Sequence, residues 1–170
     1  MKRSLAQAIC VLAAIGVCLA APAALAQNIS TADAAAEPVA DLGVARALDA
    51  VLARALSLRG TRYRAGGTSP ETGFDCSGFV GYLYRDILGF QLPRSANEFW
   101  RFGRKVERED LRPGDLVFYN TLKRPFSHVG IYLGDNQFVH APASGGAVRI
   151  VNMDDRYWAT RWNGAKRVAP

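Results

Sequence analysis

Apolar positions follow two different periods along this chain, and the change falls near Val106. Before it the spacing is helical. Val44, Leu48, Val51, Leu52, Ala55 and Leu56 form an amphipathic stripe that predicts a helix from Leu42 to Leu58, with Gly60 as its stop. Phe79, Val80, Leu83, Tyr84 and Ile87 predict a second helix from Cys76 to Leu88, with Asp75 as N-cap and Gly89 as its end. Thr61 to Gly73, between them, reads as a loop whose Gly66-Gly67 pair predicts a positive-φ turn or a close backbone approach. Ser95 caps a short third helix that ends near Gly103, with Phe99, Trp100 and Phe102 as its apolar contacts. After Val106 the period is two, which predicts strands at Leu116 to Tyr119, Ser127 to Leu133, Gln137 to Ala141, Val148 to Val151 and Gly164 to Val168. Helices first and antiparallel strands after define an α+β domain, with a helical layer on one face of a central sheet.

The N-terminus changes this picture. Lys2 and Arg3 precede an uncharged apolar run from Ala8 to Ala21, Pro22 breaks it, and Ala24-Leu25-Ala26 has the small-x-small form of a cleavage site. Residues 1–26 are therefore expected to be an export signal, 27–40 a flexible tether, and 41–170 the folded domain. The run of 14 residues is short for a membrane span, which needs about 20. Lipid attachment at Cys18 is disfavoured by the bulk of Val17 before it. Losing the signal removes Cys10 and Cys18 and leaves Cys76 as the one thiol. It also leaves 19 basic residues against 15 acidic ones. The basic residues are scattered, without the runs that nucleic-acid binding uses, so that class is excluded and a mild attraction to an anionic polymer remains. We expect a monomer with no metal or cofactor.

Cys76 carries the candidate chemistry. At the first turn of a helix, unpaired N–H groups and the positive end of the helix dipole favour a thiolate. The chain has two histidines, His128 and His140. If Gly134-Asp135-Asn136 is a three-residue hairpin loop, Ile131 faces Val139 and Tyr132 faces Phe138, and each face of the pair is continuous. In that register Gly130 faces His140, leaves room for its ring, and makes His128 a diagonal neighbour of His140. The pattern thus predicts a relay: Cys76 as nucleophile, His128 as base and then acid, His140 orienting His128. A zinc site built from the same three residues is the competing chemistry. A non-catalytic binding domain, or an amide or acyl transferase, would also carry this pattern.

In order along the chain, Gly60-Thr61, Tyr63-Arg64, Gly66-Gly67, Gly73-Phe74-Asp75-Cys76-Ser77-Gly78-Phe79-Val80, Leu92-Pro93-Arg94, Pro113-Gly114-Asp115-Leu116-Val117-Phe118, Ser127-His128-Val129-Gly130-Ile131-Tyr132-Leu133-Gly134 and His140-Ala141-Pro142 closely resemble the NlpC/P60 family of bacterial cell-wall cysteine peptidases. The resemblance implies a papain-like fold and a Cys76, His128, His140 triad. It implies peptidoglycan stem peptides as substrate, most often cut between γ-D-glutamate and the diamino acid, and the periplasm or cell envelope as compartment. Asp75 and Ser77 would receive the amino end of the stem, and Tyr63 would support the oxyanion beside the Cys76 N–H. Each of these three also has a purely structural reading, as a helix cap, a local hydrogen bond and a packed ring. Arg94 and Asp115 read as structural, a buried pair or turn residues. Phe99 stands where the resemblance leads one to expect a polar residue.

Overall fold

A computed structural model describes residues 31–143 and 146–168 of the 170, with side chains from residue 42 onward. The expected export signal, residues 1–26, lies outside the described residues, as do 27–30 of the expected tether. Helix α1 runs Thr31–Ser57, so it begins well before the predicted Leu42. The segment read as a tether is rich in alanine, the residue that costs a helix least, and its helical propensity outweighs its lack of apolar anchors. Val51, Ala55 and Leu58 of this region are buried in the core.

The predicted loop contains a small hairpin, β1 (Thr68–Ser69) and β2 (Gly73–Phe74), too short to show as a periodic pattern. Helix α2 spans Cys76–Leu88, as the sequence predicts, and Gly89 ends it in the left-handed conformation at φ 64°. Helix α3 is a single turn, Ala96–Phe99, shorter than expected. Ser95 and Glu98 close it with reciprocal bonds, Ser95 Oγ accepting from the Glu98 N–H and Glu98 accepting from the Ser95 N–H. Phe99 is fully buried, so its position is a core position.

Strands β3 (Arg104–Val106), β4 (Leu116–Tyr119), β5 (His128–Gly134), β6 (Gln137–His140), β7 (Arg149–Asn152) and β8 (Trp162–Arg167) form one antiparallel sheet in the order β3-β8-β4-β5-β6-β7. Leu116 and Phe118 of β4, Val129 and Ile131 of β5 and Val139 of β6 pack with α1 and α2. The alternate residues Val117, Tyr119, Tyr132 and Phe138 form a second buried cluster with Met153, Trp158 and Ala165. The sheet is therefore covered on both faces. The second cover includes the one-turn helix α4 (Arg156–Ala159), which the sequence does not announce because a single turn has no period to detect.

The β5–β6 register is the predicted one: Ile131 pairs with Val139 and Tyr132 with Phe138. Its turn differs. Asp135 and Asn136 both have positive φ, 50° and 55°, the signature of a two-residue type I′ turn, and the register shifts by one residue between Tyr132 and Gly134. A bulge at Leu133 plus a two-residue turn gives the same pairing as a three-residue loop. The space over Gly130 is filled by Phe138 and not, as expected, by His140: a Cβ there would lie 2.5 Å from the Phe138 ring and 2.8 Å from the Val139 carbonyl oxygen.

One ion pair ties the sheet to the turn before β4. Asp115, 1% exposed, accepts from Arg167 Nε at 2.6 Å and Nη2 at 2.7 Å, and from the Arg112 N–H at 2.8 Å. Asp115→Ala would strand the Arg167 guanidinium in a largely buried setting, a loss of about 3 kcal/mol by analogy with broken buried pairs. Urea unfolding of this variant should show that drop.

Candidate active site

Local backbone packing sets the position of Cys76. The Asp75 N–H donates to the Gly67 carbonyl at 3.1 Å and the Gly67 N–H to the Arg64 carbonyl at 2.9 Å. A Cβ on Gly78 would collide with that same Gly67 carbonyl oxygen, so the residue two beyond the cysteine must lack one. Asp75 caps α2, accepting from the Gly78 N–H at 2.7 Å. It does more than cap. Oδ1 also accepts from Ser77 Oγ (3.1 Å) and Arg94 Nη1 (3.0 Å), and Oδ2 from Arg94 Nη2 (2.5 Å) and the Gly66 N–H (3.0 Å). Arg94 Nη1 reaches Ser77 Oγ as well, at 2.8 Å. Burial alone would raise the pKa of Asp75, but Arg94, the Gly78 N–H and Ser77 together hold it below the ordinary carboxylate range. Five donors fill a carboxylate that offers about four lone-pair sites. The expectation that Asp75 and Ser77 receive an incoming amine meets this obstacle: Arg94, read as structural from the sequence, already occupies them. Arg94 and Asp115 are not each other's partners.

The two histidines meet as the hairpin register requires. His128 Nε2 and His140 Nδ1 are 2.8 Å apart, with the rings at 83°. Both are buried, His128 at 3% exposure and His140 at 0%. Trp158 lies nearly parallel to the His128 ring at 5.6 Å and presents an edge contact to His140 at 4.9 Å, while Phe138 sits 5.2 Å from His140. This apolar wrap decides the charge state. Burial pulls His128 from 6.5 to about 4, and burial, the neighbouring His128 and Arg149 pull His140 to about 2. Both rings are neutral at pH 7. His140 Nε2 has no hydrogen-bond partner among the described residues.

Neutral buried histidines make stability depend on pH. The unfolded chain binds protons near pH 6.5 that the folded chain refuses, so stability is fully present above 6.5. It is lost as pH falls from there toward about 4 for His128 and about 2 for His140. We expect the unfolding free energy to be lower at pH 5 than at pH 7 by on the order of 2 kcal/mol for each histidine, about 4 kcal/mol for the pair. A pH series of urea titrations checks it, and replacing His140 with Gln should flatten the slope.

Cys76 packs at the edge of the first core cluster, close enough to β5 that the Val129 N–H, one residue beyond His128, favours its anion. The N–H groups of Ser77 and Cys76 act in the same direction. Burial outweighs them and, with the Asp75 charge, pushes the thiol above its ordinary pKa. This corrects the expectation of a resting thiolate: desolvation beats the helix terminus, and the resting pair is a neutral thiol and a neutral imidazole. Tyr63 lies near Cys76 and Asp75, and burial with those two neighbours raises its pKa, so it keeps its proton and can donate. Trp158 and Arg94 are the site neighbours to which sequence reasoning gives no role. The Leu92-Pro93-Arg94 run is a visible signal for Arg94, but no pattern points to Trp158. Among the described residues no group of three or more His, Cys, Asp or Glu side chains is placed to hold a metal ion.

Comparison with known proteins places the chain in a family. The model of the NlpC/P60 family matches residues 60–167. The chain belongs to that family. The murein DD-endopeptidase MepH of Escherichia coli is 44% identical over 112 residues, 64% of this chain and 41% of that protein. The E. coli protein MepS, a murein DD-endopeptidase and murein LD-carboxypeptidase, is 48% identical over 110 residues, 65% of this chain and 57% of that protein. This chain thus spans about half the length of these relatives. The structure of the peptidoglycan hydrolase RipB from Mycobacterium tuberculosis superposes with a TM-score of 0.65 at 29% identity, covering 76% of this chain and 68% of that one.

Proposed function

We propose that this chain is a peptidoglycan endopeptidase in which Cys76, His128 and His140 act as nucleophile, base and orienting residue. The observation that carries the proposal is the buried 2.8 Å contact between His128 and His140, with the helix-terminal thiol of Cys76 held against the N–H of Val129, the residue next to His128. With His128 Nε2–H donating to His140 Nδ1, His128 Nδ1 is left as the free base. The thiol gives its proton to Nδ1 as sulfur attacks the carbonyl carbon, so no resting charge separation is needed. The oxyanion that forms is met by the Cys76 N–H and the Tyr63 hydroxyl. His128 then returns the proton to the leaving amine, the C–N bond breaks and a thioester remains. Water attacks the thioester with His128 again taking a proton, and the sulfur leaves and is reprotonated.

A zinc site has less support, because the contact between the rings occupies one nitrogen of each. The family resemblance favours the γ-D-glutamyl–diamino acid bond, with the free amino end of the stem on Asp75 and Ser77. Arg94 on Asp75 weakens that choice, and an interior or cross-link amide, which presents no free amine there, is better supported. The relatives named as DD-endopeptidases point the same way. The reading also carries residues 1–26 as an export signal and the periplasm or cell envelope as compartment. No helix among the described residues is long and apolar enough to cross a membrane. Incubating the exported form with purified peptidoglycan and weighing the fragments tests the proposal: new amine-bearing fragments are expected, and their absence would reject it.

A further inference from the structure

We infer that the cavity beside His128 is a carboxylate site, in which Arg149 holds a leaving residue whose carboxylate stands on the carbon next to the released amine. This rests on the hydrolase reading above. A cavity of about 420 Å³ is bordered by His128, Thr121, Arg149, Asp155, Tyr157 and Trp158. In acyl transfer to a thiol, the group that takes the thiol proton hands it to the departing amine. That amine must come within reach of His128, and the residue carrying it falls into the space His128 borders.

The wall of that space holds an uncommitted cation. Arg149 lies on the edge strand β7 opposite His140 in the β6–β7 register, so the backbone fixes its place next to the histidine pair. Its side chain is exposed and makes no hydrogen bond or ion pair among the described residues, not even with Asp155 across the same cavity. Arg94, Arg108 and Arg167 each hold a carboxylate within the fold. A free guanidinium matches a carboxylate in a planar, two-pronged geometry. Its charge also reaches His140, whose proton affinity it lowers. A bound carboxylate would offset that field and make the histidine pair more basic when substrate is in place. Two leaving residues have the required chemistry: a diamino dicarboxylic acid at a cross-link and a single C-terminal amino acid.

The test uses two pairs of synthetic peptides, one pair cross-linked and one ending in a single D-amino acid. Within each pair the carboxylate next to the scissile amide is either free or a carboxamide. Wild-type protein should prefer the free carboxylate in at least one pair, by about tenfold in kcat/KM, the worth of one partly exposed charge-assisted bond. Arg149→Ala should remove that preference by slowing the carboxylate substrate about tenfold more than the carboxamide, and Arg149→Lys should restore part of it. The pair that shows the effect identifies the source of the carboxylate. Equal cleavage of both members of each pair by wild type, or equal slowing of both by Arg149→Ala, overturns this inference and leaves the hydrolase reading standing. Cleavage of none of the peptides by wild type rejects both.

Discussion

Cys76→Ala is expected to slow amide release from peptidoglycan by at least about a thousandfold while leaving the fold intact. The thiol is the only free cysteine among the described residues, and it is a far stronger nucleophile at neutral pH than a hydroxyl such as that of Thr121. What remains would come from the oxyanion donors and substrate binding, which in comparable triads retain about 10³ over water. Cys76 packs at the edge of the first core cluster and the change removes a single sulfur atom, so the cavity left is small and the melting temperature should move little. Cys76→Ser should be nearly as inactive. A hydroxyl is far less acidic than a thiol, and a base held to about 4 by burial is too weak to activate it. Rates measured on purified wall, beside melting curves of both variants, check this. Substantial hydrolysis by Cys76→Ala would favour a non-catalytic or metal-binding role for the same residues.

His128→Gln is expected to cost about 10³ in rate, and its effect should be tied to pH. The reactive form needs a neutral imidazole and an intact thiol. Protonation of His128 stops it on the acid side, near pH 4 instead of the ordinary 6.5. The raised thiol pKa moves the alkaline limit upward. Wild type should therefore stay active to about pH 5, with kcat/KM falling below that. His128→Gln should lose this acid limb, and what activity it keeps should rise with pH as hydroxide removes the thiol proton. Trp158→Ala should let water reach both rings and move the acid limb of the otherwise normal enzyme back toward neutrality. An acid limb of wild type near 6.5 would mean that the wrap around His128 is not dry in solution.

The parts of this site that follow a period are legible in the sequence. The spacing of Phe79, Val80, Leu83 and Tyr84 places the cysteine at a helix start, and the alternation of Val129, Ile131, Val139 and Ala141 fixes which way the histidines face. That alternation is robust enough that a wrong turn type still gives the right register, because the bulge at Leu133 makes up for the residue that the two-residue turn lacks. Features without a period are not legible. Trp158 sits on a single helical turn, and Arg94 reaches Asp75 across 19 residues of chain. The sign of the cysteine shift escapes the sequence for a different reason. A helix N-terminus is visible there, but the desolvation that opposes it depends on burial, which only the packed site reveals. The early start of α1 is hidden because an alanine-rich stretch carries propensity without amphipathicity.

Stoichiometric alkylation separates catalysis by one sulfur atom from every alternative. Protein lacking residues 1–26 and treated with iodoacetamide should take up one carbamidomethyl group, mapped to Cys76, and lose amide release in proportion, while a chelator leaves the untreated protein fully active. Protein carrying that group on Cys76 and still cleaving peptidoglycan would rule out Cys76 as the nucleophile.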